Sequence, residues 1–71
     1  DKSAPSSIYE AIRQRRKTLG YSQEAISELV GMHRTQYGHI EQGRKDCRLS
    51  TLSRIADALE TPLWRLLKDV P

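Results

Sequence analysis

One cysteine, Cys47, and two histidines, His33 and His39, are the only thiol and imidazole groups in this chain of 71 residues. The histidines stand six positions apart, off the i, i+4 spacing that brings two ligands to one helix face. A four-ligand zinc site needs more soft donors than these. Metal binding is therefore not expected. Cys47 has no His–Asp arrangement nearby to mark it as a nucleophile. The adjacent Arg44, Lys45 and Arg48 would lower its pKa, which leaves redox sensing as the one chemical role open to it. Without a nucleophile–base pair, a phosphate loop or a metal set, the chain is not expected to be an enzyme. It suggests no cofactor and no small-molecule ligand. The remaining chemistry is cationic. Eight Arg and four Lys oppose nine acidic side chains, for a net charge of +3. That excess is mild, but the preference for Arg matters, because its planar fork matches guanine and phosphate edges where Lys offers a point charge.

Five short helices account for the chain, and they must position these groups. Asp1 to Pro5 is polar and aperiodic and is expected to be a flexible arm, with residues 6–71 forming one domain. Ser6 or Ser7 can cap a first helix with Ile8, Ile12 and Leu19 on its apolar stripe, broken by Gly20. Ser22 caps a second, with Ile26, Leu29 and Val30 as its apolar face and Gly31 as its stop. A third runs from Arg34 to about Gln42, burying Tyr37 and Ile40. After a basic connection, Ser50 caps a fourth with Leu52, Ile55, Ala56 and Leu59. Thr61 and Pro62 open a fifth, carrying Leu63, Trp64, Leu66 and Leu67. No segment has the period-2 alternation of a strand, and no apolar run approaches the roughly 20 residues of a membrane span. A single unpaired cysteine, with no basic leader before an apolar stretch, points to the cytoplasm.

Two helices joined by Gly31-Met32-His33 describe a helix-turn-helix over about residues 23–42. Ser27 is small where the two helices approach closely. Burying Tyr37 and Ile40 turns Arg34, Thr35, Gly38 and His39 outward, a face that can enter a major groove. The residues Ser22-Gln23-Glu24 through Gly31, then His33-Arg34-Thr35-Gln36-Tyr37 through Glu41-Gln42-Gly43-Arg44, resemble the phage repressor/Cro (XRE) family of helix-turn-helix DNA-binding domains. The likeness extends over about residues 8–67. Its size, His-Arg-Thr opening and Gly-Arg-Lys-Asp-Cys-Arg-Leu-Ser segment are similar to the controller proteins of restriction-modification systems. Asp46 stands where that group usually has Asn, and Arg48 is extra. Arg15 stands where an apolar residue is common, and it is expected to snorkel outward while Leu19 fills the volume.

The resemblance implies an all-α, five-helix, lambda-repressor-like domain that regulates transcription by binding double-stranded DNA. Arg34, Thr35, Gly38 and His39 would read bases, with Arg34 forking onto guanine. Gln23, Gln42, Arg44 and Lys45 would hold phosphates. At Gly38 the missing side chain either lets the helix sit deep in the groove or marks a tolerant position. Glu41 is expected to be structural. Of Arg13, Arg15, Arg16 and Lys17, at most two can face DNA together, since a helix spreads such residues around its circumference. Trp64 either closes the thin core or joins Leu63, Leu66 and Leu67 in a homodimer interface, the arrangement the family favours. Two other classes compete. One is an antitoxin-like protein-interaction module on the same fold. The other is an RNA binder, which one Trp, three Tyr and no Phe equip poorly for base stacking.

Overall fold

The computed structural model describes residues 7–43 and 47–68. The N-terminal arm, Arg44 and Lys45 lie outside the described residues. Five helices follow one another: α1 (Ile8–Leu19), α2 (Gln23–Val30), α3 (Arg34–Glu41), α4 (Leu49–Ala58) and α5 (Leu63–Leu67). Among the described residues there is no strand, and no helix is long and apolar enough to cross a membrane.

Local chemistry sets the first three helices. Ser7 Oγ accepts the Glu10 N–H at 3.2 Å and opens α1. Gly20 closes it in the left-handed region at φ 85°, returning its N–H to the Arg16 and Lys17 carbonyls. Ser22 Oγ accepts the Ala25 N–H at 3.0 Å, and Gly31, also at φ 85°, ends α2. His33 Nδ1 then caps α3 by accepting the Thr35 N–H at 3.2 Å. The last two helices begin elsewhere than their sequence signals indicate. Arg48, not Ser50, is the N-cap of α4, and it makes no side-chain cap bond. Pro62, not Thr61, is the N-cap of α5, while Thr61 is buried.

The core gathers Ile12, Ile26, Tyr37, Ile40, Ile55, Ala56, Leu59 and Leu66, with Ala11 and Val30 at its edge. Helix α3 packs on α1 and α2, while α5 closes the far side against α1 and α4. Two expectations, at Leu29 and Arg15, are corrected here, and one of the two alternatives for Trp64 is excluded. Leu29 is exposed, because the buried stripe of α2 is Ile26, Ser27 and Val30; at about 100° per residue, Leu29 falls roughly 110° from that stripe's centre. Trp64 does not close the core; it stands 62% exposed. Arg15 does not snorkel outward. It reaches across to the end of α4, donating to the carbonyls of Leu59 at 3.1 Å and Glu60 at 3.4 Å.

Candidate nucleic-acid interface

Tyr37 and Ile40 anchor α3 in the core, and their burial fixes which side of this short helix meets solvent. Arg34, Thr35 and His39 are exposed on that side. With Gln23, Gly38 and Gln42 they line one shallow cleft of about 250 Å3. Gly38 departs from expectation, because it is buried at the cleft floor beside Gln23 rather than standing out on the face. A Cβ built there would lie 3.6 Å from Gln23 Oε1, an ordinary contact, so packing within the chain does not demand glycine.

Behind the cleft lies a buried polar cluster. Glu41 Oε2 accepts from Arg16 Nε at 2.7 Å and from the Tyr37 hydroxyl at 2.6 Å. Its Oε1 accepts from the second guanidinium nitrogen of Arg16 at 3.1 Å and from Gln23 Nε2 at 3.0 Å. Arg16 also donates to the Tyr21 carbonyl at 2.8 Å. Burial pushes the Glu41 carboxyl up, but the hydrogen bonds from Arg16, Tyr37 and Gln23 together outweigh it and hold the group below the usual carboxylate range. The Tyr37 phenol is driven far above its ordinary value, first by burial and then by its bond to Glu41, so it stays a donor. The hydrogen bond to Glu41 raises Arg16 further, keeping the pair ionised. No buried side-chain nitrogen or oxygen among the described residues lacks a partner.

This cluster changes the part assigned to Gln23. A carboxylate only accepts, so the amide nitrogen must face Glu41 and the amide oxygen must lie toward Gly38. One amide N–H is thereby spent inside the protein. The second, and the backbone N–H groups of Gln23 and Glu24 that open α2, have no acceptor within that helix. Glu41 is structural, as expected, whereas its partner Arg16 is a residue that sequence reasoning misses. A partial signal exists: Tyr37 and Glu41 stand at i, i+4, which puts phenol and carboxylate on one inward face.

The other sequence-marked groups lie away from the cleft. Leu66, expected at a dimer interface, is instead 5% exposed and belongs to the core of the chain, because α5 turns it toward α1 and α4. Leu63 packs partly against that core. Trp64 and Leu67 remain outside, with the Arg65 guanidinium 5.9 Å above the indole. Cys47 is half-buried, and burial pushes its thiol up, against the expected lowering by basic neighbours. Among the described residues no group of His, Cys, Asp and Glu could hold a metal ion.

The family model for the helix-turn-helix (HTH_3) matches residues 12–63, from the middle of α1 to the start of α5. The chain belongs to this family. The match takes in the Glu41 cluster and every residue lining the cleft on α3. This helix-turn-helix domain is similar to Control protein C.SmaI of Serratia marcescens, being 40% identical over 60 residues that span 84% of this chain and 71% of that protein. Its fold is similar to the restriction-modification controller protein C.AhdI from Aeromonas hydrophila, with a TM-score of 0.80 and 29% identity over 83% of this chain and 89% of that one. It is similar too to an HTH_3 family transcriptional regulator from Vibrio cholerae, with a TM-score of 0.81 and 30% identity. There the likeness covers 89% of this chain but 35% of the longer regulator.

Proposed function

We propose that this helix-turn-helix domain is a sequence-specific, double-stranded DNA-binding transcriptional regulator. It acts in the cytoplasm as a homodimer on a palindromic operator, with α3 of each protomer in the major groove. The observation that carries this reading is the exposed set Arg34, Thr35 and His39, held at one cleft by a helix whose opposite side is locked into the core. Arg34 forks onto guanine O6 and N7, while Thr35 and His39 hydrogen-bond neighbouring base edges. Gly38 lets the backbone of α3 come close to the groove. Gln23 and Gln42 flank the reading groups and take phosphates, assisted by Arg44 and Lys45 beyond α3. Trp64 and Leu67, with part of Leu63, form the contact between protomers. The family and its controller relatives support the regulatory role.

The test is selection from a random duplex pool, followed by salt titration of the recovered sequences. A palindromic consensus is expected. Arg34→Ala should lose about 1–3 kcal/mol of discrimination at one base pair of each half-site. Equal binding to scrambled duplex with an equal salt slope would overturn the reading. A second reading rests on the exposed Trp64 and Leu67, which would also suit a protein partner in an antitoxin-like module. In that case Arg34→Ala leaves the main activity intact and Trp64→Ala abolishes it.

A further inference from the structure

The cations of α1 are sorted by the fold. Arg16 is spent on Glu41 and Tyr21, and Arg15 on the carbonyls that end α4. Arg13 and Lys17 are left, at i and i+4 on one face, exposed and with no side-chain hydrogen bond or ion pair to another described residue. They open onto a second cleft of about 430 Å3, lined by Arg13, Arg16, Lys17, Gln23, Glu41 and Gln42. Gln23 and Gln42 line the reading cleft as well, so the two clefts share a wall. Glu41 is the single acid in the lining, and its carboxylate is 2% exposed and bonded to Arg16, Tyr37 and Gln23. It therefore presents no repelling oxygen. Gln23, the first residue of α2, lines the same space, and its backbone N–H has no acceptor within the helix.

We propose that this cleft is a phosphodiester site in which Arg13 and Lys17 clamp the DNA backbone beside the segment that α3 reads. The proposal rests on the DNA-binding reading above and adds α1 to it. Two solvent-facing cations flank the mouth, the fixed Arg16–Glu41 pair forms the floor, and Gln23 and Gln42 join the site to the reading cleft. The clamp carries no sequence information and adds affinity equally to every sequence.

The experiment compares the unmodified chain with Arg13→Gln, Lys17→Gln and the double variant. Both positions are exposed and helical, and glutamine is a good helix former, so the fold should persist, as far-UV circular dichroism will verify. Binding is measured against salt on the selected operator and on a scrambled duplex. The slope should become shallower by about 0.9 for each phosphate that is no longer neutralised, with base preference unchanged. Replacing single operator phosphates by neutral methylphosphonates should expose one position per half-site that weakens the unmodified chain and leaves the double variant unaffected. An unmoved slope overturns the clamp. So does a shallower slope with no coupled methylphosphonate position, which would mean diffuse attraction only. Competition by inorganic phosphate at constant ionic strength, without any change in the DNA slope, would make the cleft a small-anion site and overturn it too. A chain with no preference for operator over scrambled duplex defeats the regulator reading, whereas preference with an unmoved slope defeats the clamp alone.

Discussion

The Glu41 carboxylate ties three helices together through one side chain, accepting from Arg16 of α1, Gln23 of α2 and Tyr37 of its own α3. Losing it strands a buried guanidinium, a phenol and an amide. Removing one partner of such a pair costs about 3–5 kcal/mol, because the other charge is left uncompensated. A domain of this size has roughly 4–10 kcal/mol in all. Glu41→Ala should therefore remove a third or more of that stability and lower the urea midpoint in proportion. Acid should do the same more gently. The carboxyl is held below its unfolded value near 4.5, so the stability it contributes is complete above that pH and is lost as pH falls through the folded value. Glu41→Gln should flatten the dependence of the urea midpoint on pH below about 4.5, and a variant as steep as the parent would refute the assignment. At this scale the chain is only partly legible from residue types. Arg34, Thr35 and His39 fall at one cleft because Tyr37 and Ile40 are unmistakably apolar positions. Arg16 cannot be told from Arg13, Arg15 and Lys17, since which cation meets a carboxylate is decided by packing between helices.

Helix ends divide into those set by local chemistry and those set by neighbours. Ser7, Ser22, Gly20 and Gly31 act through their own side chains or their lack of one, so residue type announces them. Arg48 and Pro62 cap α4 and α5 by backbone conformation alone, which leaves no mark in residue type. The two left-handed glycines separate the local from the neighbour effect within one experiment. Gly20 faces open space, so Gly20→Ala should cost only the backbone strain, about 1 kcal/mol. At Gly31 a Cβ would come within 3.1 Å of an Arg54 guanidinium nitrogen, and that same nitrogen donates to the Val30 carbonyl at the end of α2. Gly31→Ala should therefore cost more than Gly20→Ala in urea denaturation, and equal costs would show that Arg54 yields freely. Glu60 is the reverse case. It sits at φ 58° with no glycine to announce it, its carbonyl held by Arg15. Glu60→Gly should raise the unfolding free energy by up to about 1 kcal/mol, as the strain of a Cβ in that region is relieved.

Across its longest axis the molecule measures 29 Å, and it carries one α3. Successive major grooves on one face of DNA lie about 34 Å apart, so reading two of them takes two copies. The surface that would join them is on α5. Four of its five residues are Leu63, Trp64, Leu66 and Leu67, and a sequence cannot say which side of so short a helix turns inward. Packing against α1 and α4 takes Leu66 and leaves Trp64 62% and Leu67 47% exposed. A chain this small hides only about 60% of its unfolded surface, and covering an exposed indole is one way to add to that. Trp64 is the only tryptophan, so it reports on its own burial. Its emission should shift to shorter wavelength as protein concentration rises, and the melting temperature should climb in parallel, because association stabilises by mass action. Leu67→Lys keeps the indole but places a charge beside it. That variant should remain a monomer in sedimentation, with emission and melting temperature independent of concentration and with weakened binding to a palindrome. Leu66→Ala should act differently, costing about 2–5 kcal/mol of protomer stability by opening a cavity in the core. If the unmodified chain and Leu67→Lys both show concentration-independent emission and melting while still binding the palindrome equally well, the protomers meet somewhere other than α5.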